Sequence, residues 1–184
     1  MRPDGIPVLV SRCLLGEACR WDGCSKPAPA VFAALGDLEA RVRWIPVCPE
    51  TDGGLPTPRE PCEIVPGRTA GDVLEGRGRV AARTGCDCTT PYVEGARRAL
   101  EAARAAGARA ALLKARSPSC SPCGVYDGRF SGRIVPGRGV TAELLARSGL
   151  AVFSEESPQA LRAFIEALPE YAPKPCAPSP APLK

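Results

Sequence analysis

The sequence predicts an α/β fold in which a parallel sheet carries helices on both faces, within a single domain. Two observations point there. Short apolar runs rich in β-branched residues alternate along the chain with helical segments, the pattern of strand–helix–strand units closing on a parallel sheet. The chain has 184 residues, 45% of them hydrophobic, enough for one domain with a sizeable core.

The elements follow in order. Ile6–Ser11 (IPVLVS) is a short apolar run that reads as a buried strand, and it stops just before Cys13. Residues 29–39 are Ala/Leu-rich and helical. Val42–Val47 (VRWIPV) is the second strand, ending at Cys48; the Gly/Pro-rich TDGGLPTPREP after it is a loop. Residues 64–85 read as irregular or short-stranded. An amphipathic helix is expected over 91–106, stopped by Gly107. Residues 109–114 form the third strand and lead into RSPSC. A helix over 141–147, a strand over 150–154 and a last helix over 157–168 complete the domain, assigned to residues 1–168. Residues 169–184 are a Pro/Ala-rich tail with no pattern of its own. The only internal repetition is an aromatic–Asp–Gly triplet, at Trp21–Gly23 and again at Tyr126–Gly128.

Composition narrows the chemistry. The net charge of +4 tolerates an anionic ligand or RNA without demanding one, so nucleic acid is possible but not indicated. Histidine is absent, which excludes His-based triads, a His general base and His zinc ligands. Ten cysteines are many for this length. The N-terminus has no apolar stretch of the signal-peptide kind and no segment is long enough to span a membrane, so the expected location is the cytoplasm. Thiols stay reduced there, and cysteines at special positions read as ligands or catalysts.

In a parallel sheet, ligands bind beyond the carboxyl ends of the strands. Cys13, Cys48 and Cys120 each follow a different predicted strand, so the architecture would gather them at one rim. Three thiolates without histidine suit a soft metal, and a 4Fe–4S cluster held by three cysteines would keep one iron open as a Lewis acid. A zinc site and simple apolar filler are the competing explanations. Glu50, two residues beyond Cys48, is a carboxylate placed for acid–base work; otherwise it is a solvated loop charge. Ser117 and Ser119 bracket Pro118 before Cys120. Arg20, Arg59 and Arg116 could bind an anion or simply be exposed. Asp22 and Asp127 precede glycines and read as turn formers. The Cys120-Ser-Pro-Cys123 and Cys86-Asp-Cys88 pairs are weak signals. Cys19, Cys24 and Cys62 read as incidental loop residues and Cys176 as part of the tail.

Four stretches, SRCLLGEACRWDG, PVCPETDGGLPTPREPCEI, LLKARSPSCSPCGVYDGRFSG and GRGVTAELLARSGLAVFSE, together resemble a bacterial and archaeal domain family that includes the thiouracil desulfidases. The resemblance covers roughly residues 6–156. It implies a Rossmann-like α/β fold with a 4Fe–4S cluster on Cys13, Cys48 and Cys120. It also implies catalytic roles for Glu50 in CPE and Ser117 in SPSC, and an open iron that accepts sulfur from a thiolated pyrimidine. One departure is visible: the family pattern has Gly after the third cysteine, where this chain has Ser121-Pro122-Cys123-Gly124. The expected activity is thus a non-redox hydrolytic desulfidase acting on a small thiolated pyrimidine or nucleoside, as a monomer or small homo-oligomer. A cluster enzyme acting on thiolated nucleosides or tRNA, or transferring sulfur, is the second expectation. A non-enzymatic metal or redox sensor is the third.

Overall fold

The computed structural model describes residues 5–169. Most of the predicted tail, with Cys176, falls outside them. β1 (Ile6–Ser11) runs into a 3-10 turn (Arg12–Leu15) and a long loop before α1 (Pro29–Leu35). A second 3-10 segment (Gly36–Arg41) leads to β2 (Val42–Val47), α2 (Pro49–Asp52), β3 (Cys62–Ile64), α3 (Ala70–Leu74) and β4 (Val80–Ala82). The long α4 (Thr89–Ala106) precedes β5 (Ala110–Leu113), β6 (Gly124–Tyr126) and β7 (Ile134–Pro136), and α5 (Val140–Arg147), β8 (Ala151–Ser154) and α6 (Pro158–Glu166) complete the order.

The central sheet has the order β2–β1–β5–β8, with every pair parallel. The inner strands β1 and β5 are buried on both faces, which is why they read as continuous apolar runs instead of alternating ones, while the edge strands β2 and β8 are partly exposed. Val8, Val10, Ala110 and Leu112 point to one side, against Val31 and Leu35 of α1 and Leu161 and Ile165 of α6. Leu9, Ala111 and Leu113 point to the other, against Ala99 and Ala103 of α4 and Leu145 of α5. The expected helices on both faces are therefore present, each buried through its apolar stripe. The chain leaves β1 toward β2 on one side and later returns to add β5 on the other. That reversal opens a crevice at the carboxyl ends of β1 and β5.

Two boundaries differ from the sequence expectation. The helix over 29–39 ends at Leu35, because Gly36 takes a positive φ of 57° and the remainder tightens into the 3-10 segment. Of the irregular or short-stranded alternatives for residues 64–85, the short strands hold, but their pairing begins earlier, at Cys62: β3 pairs antiparallel with β4 through α3, whose start is fixed by a reciprocal capping box between Thr69 and Asp72.

One close approach holds the rim. α2 lies against α4 so tightly that a Cβ on Gly95 would sit 1.7 Å from the Pro49 carbonyl oxygen, and one on Gly53 would sit 2.0 Å from that of Pro91. Only glycine permits this backbone contact.

Candidate active site

Beyond the carboxyl ends of β1, β2 and β5 lies a cavity of about 620 Å³. Its size suits a small-molecule site. Cys13, Cys48 and Cys120 all line it, as do Glu50 and Ser117. The five residues singled out from sequence thus share one cavity, each delivered by the turn that follows a sheet strand.

The three turns are built differently. Cys13 sits in the 3-10 turn directly after β1 and is buried. Cys48 occupies the N-cap position of α2, and Pro49 opens the helix where a missing N–H costs nothing. The Cys48 amide donates to Asp52 Oδ2 (3.0 Å), and Asp52 in turn pairs with Arg12, next to Cys13. One carboxylate therefore ties the first two cysteine turns together. The third turn is pinned by serine. Ser117 Oγ accepts from the amides of Ser119 and Cys120, both at 3.1 Å. The carbonyls of Pro118 and Ser119 then accept from the first amides of α5, at Val140 (2.9 Å) and Thr141 (2.9 Å). Those amides would otherwise lack partners. Buried Ser119 and Thr141 share a 2.8 Å hydroxyl–hydroxyl bond behind them.

The departure after Cys120 is absorbed as a tight turn. Ser121 Oγ donates to the Gly124 carbonyl (2.6 Å) and accepts from the Gly124 amide (3.3 Å), feeding the chain into β6. Cys123 is left exposed and does not line the cavity. Cys86 is exposed as well. Asp22 and Asp127 form side-chain turns onto the amides of Cys24 and Arg129, as their turn-former assignment anticipates.

Glu50 is held at both oxygens. Arg59 donates to Oε2 through Nε (2.9 Å) and Nη2 (2.6 Å), and Ser117 Oγ donates to Oε1 (3.2 Å). The pair is buried, with side-chain exposures of 6% for Arg59 and 13% for Glu50. Burial works against the charge on Arg59, but the Glu50 carboxylate outweighs it and holds the guanidinium firmly protonated. Arg59 is thus neither an exposed loop cation nor a free anion binder. Nothing in TPREP signals this, because the contact is set by a loop folding back over α2. Arg20 and Arg116 also line the cavity, paired with Asp22 and Glu156 respectively.

Sequence reasoning passes over two cysteines of the site. Cys19, assigned to an incidental loop, is 4% exposed, lines the cavity and packs in one buried cluster with Cys13 and Cys48, its backbone carbonyl accepting from the Cys48 thiol at 3.7 Å. Its place six residues after Cys13, in a loop turned by Gly16 and Gly23 at positive φ, is the signal that could have found it. Cys62 is also buried; it belongs to β3, lines the same cavity and contacts Cys88 and the fully buried Tyr92.

The thiols are protonated by their surroundings. Its bond with Cys13, reinforced by burial, pushes Cys19 up to about 11. The bond with Cys19 and then burial raise Cys48 further. Burial, with the Glu50 charge nearby, pushes Cys120 up to about 12. Among the described residues, no three Cys, Asp or Glu side chains converge on a point as the ligands of one ion do.

Comparisons with known proteins place the chain as a whole. Residues 8–157 match the model of the 2-thiouracil desulfurase family. The chain is 41% identical over 148 residues to the uncharacterized protein YbbK of Bacillus subtilis (strain 168), covering 80% of this chain and 95% of that one. Among solved structures it is similar to the [4Fe-4S]-dependent thiouracil desulfidase TudS. The TM-score is 0.72 at 38% identity, over 89% of this chain and 99% of the other.

Proposed function

Because the chain belongs to the 2-thiouracil desulfurase family, we propose that it is an iron–sulfur desulfidase that removes sulfur from a thiolated pyrimidine by redox-neutral hydrolysis. The observation that carries this reading is the meeting of three strand-end thiols with the Glu50–Ser117 pair in one cavity.

The donor set fits a 4Fe–4S cluster. Each ligated iron of such a cluster takes one protein thiolate beside its bridging sulfides, and three thiols without histidine are a donor set of that kind. Cys13, Cys48 and Cys120 would hold it. Arg12, Lys26 and Lys114 line the cavity as well, Arg12 and Lys114 being paired to Asp52 and Glu155 at its edge. When bound, the cluster supplies a Lewis-acidic iron to which the thiocarbonyl sulfur can attach.

The chain's own groups do the rest. Arg59 and Ser117 fix the Glu50 carboxylate at the cavity wall, so its position needs no reorganisation during turnover. Glu50 takes a proton from the water that adds to the thiocarbonyl carbon. It returns the proton as the carbon–sulfur bond breaks and sulfide departs, leaving a carbonyl. No electrons are exchanged, and a net water is consumed for each sulfide released. Ser117 keeps its hydrogen on Glu50 while its oxygen holds the Cys120 turn, so it serves position more than proton transfer.

A second reading, in which the substrate is a thiolated nucleoside or tRNA, draws on the outer lining. Trp21 is exposed at the cavity edge beside Arg20, and Arg83 and Arg116 also line it, offering a stacking surface and cations. Both readings meet one experiment. Protein reconstituted anaerobically with iron and sulfide is assayed for sulfide release from 2- and 4-thiouracil, 4-thiouridine and thiolated tRNA, without added reductant. Release from the free bases supports the first reading, and release from nucleoside or tRNA alone moves the substrate outward. Cluster-loaded protein inert toward all of them would overturn the desulfidase proposal.

A further inference from the structure

The proposed chemistry leaves one buried acid of the cavity wall unused. Glu63, the middle residue of β3, is 7% exposed and lines the cavity. Its Oε2 accepts from the Phe130 amide (3.0 Å), which ties the tip of the β6–β7 hairpin to β3. The tip is firmly set. Gly128 packs so close that a Cβ there would lie 2.3 Å from the Ile64 carbonyl oxygen, and Phe130 is held at a φ of 54°, a conformation that a bulky residue keeps only under constraint. Arg83 Cζ stands 5.6 Å from the centroid of the Phe130 ring, and both side chains line the cavity too. The second oxygen of Glu63 is left over. Among the described residues, nothing donates to Oε1 and no cation pairs with the side chain. That oxygen is not walled in by protein either, so it opens toward the cavity that Glu63 lines. A carboxylate kept from water with a single amide partner is costly. A glutamine oxygen would hold the Phe130 amide without that cost.

Resting on the desulfidase reading above, we infer that Glu63 reads the substrate ring: its unpartnered oxygen accepts the N3–H of the thiolated pyrimidine. N3 flanks the sulfur-bearing carbon in both 2- and 4-thiouracil. A ring that enters sulfur first therefore brings N3–H into the buried part of the cavity, while N1, which carries the ribose in nucleosides, trails toward the edge where Trp21 is exposed. A carboxylate accepts from a ring N–H and has no hydrogen to offer a ring nitrogen that lacks one. The contact thus acts as a filter. It admits uracil-type rings, whose N3 carries a hydrogen. It rejects cytosine-type rings, whose N3 is itself an acceptor, because two sets of lone pairs would then face each other out of reach of water. The contact is a hydrogen bond only, and no proton changes hands.

The test reads binding and needs no turnover. Uracil, the sulfur-free product, is titrated calorimetrically into the cluster-loaded protein beside 1-methyluracil, 3-methyluracil and cytosine. Wild type should hold uracil about 10–100-fold more tightly than 3-methyluracil or cytosine, the range of one hydrogen bond to a charged group. It should hold 1-methyluracil nearly as well as uracil. Glu63→Gln should bind uracil more weakly and lose most of that preference. Glu63→Asp, which keeps a shortened carboxylate, should fall between the two and guards against a folding defect in the first variant. Arg83→Gln, altered on the same wall where the side chain stacks on Phe130, should keep the preference, which separates reading the ring from disturbing the wall. If wild type binds uracil and 3-methyluracil alike, or binds no uracil, the inference is overturned. It is overturned as well if the Glu63 variants keep the preference, or if they weaken all four ligands in proportion, the mark of a merely structural side chain. Sulfide release is a separate readout. Wild type that releases sulfide without discriminating at N3 loses this inference alone, and wild type that discriminates at N3 yet is inert toward thiolated substrates loses the desulfidase reading alone.

Discussion

Glu50 shows how much a single carboxylate depends on its neighbours. Arg59 and Ser117 occupy one oxygen each, so neither oxygen is free to wander toward solvent. Glu50→Gln keeps the shape and removes the proton acceptor; a general acid–base group supplies about 10²–10⁴-fold in rate. Sulfide release should fall on that scale while iron content is unchanged, with the two measured on the same preparation. Loss of iron instead would make Glu50 a cluster support and place the acid elsewhere. Arg59→Ala leaves a buried carboxylate without its counter-charge, a change that costs about 3–5 kcal/mol when a buried pair is broken from one side. The denaturation midpoint should drop accordingly, and Arg59→Lys should recover only part, because an ammonium cannot reproduce the two-pronged grip. An unchanged midpoint in Arg59→Ala would show that the pair contributes little to the fold.

At the scale of elements, the rim depends on glycine. Gly95 lets α4 touch the backbone of α2, the short helix that carries Cys48 at its cap and Glu50 in its first turn. Gly95→Ala should push the two apart, costing about 1–3 kcal/mol as overpacking does. It should also lower cluster occupancy, because the displaced helix takes Cys48 with it; thermal unfolding and iron analysis together check this. Full occupancy in a destabilised Gly95→Ala would mean that α2 does not set the Cys48 position. Much of this layout was legible in advance. β1 matches the predicted run because a strand buried on both faces leaves an apolar signature, and the edge strand β2 was read from its β-branched and aromatic residues. The gathering of Cys13, Cys48 and Cys120 at one cavity was legible because parallel strands point their ends one way. The β6–β7 hairpin was not, since three-residue strands are too short to establish alternation. Cys19 and Arg59 escaped for another reason: their burial comes from loops folding onto the site, and loop packing has no period to read.

For the molecule as a whole, the protonated thiols make a prediction about acidity. Burial raises Cys120 from an ordinary 9.0 to about 12 and moves Cys62 the same way. A group whose native pKa is raised adds stability below its unfolded pKa and loses it as pH climbs through the native one. Cluster-free protein should therefore unfold at lower urea near about pH 10 than near about pH 8, over the window between those two pKa values. A midpoint that does not move across that window would show these thiols are not held protonated by the fold. The placement of the proposed ligands has a consequence for biogenesis. Cys13 and Cys120 are separated by most of the domain and meet only because β5 pairs with β1. A nascent chain that has not yet made β5 has no third ligand to offer, and holding such distant residues together without the sheet would require closing a very long loop. With these ligands, metal loading would wait for the finished sheet. Delivery would then reach a folded acceptor through its cavity mouth, and a chain that misfolds at β5 would not be charged with iron.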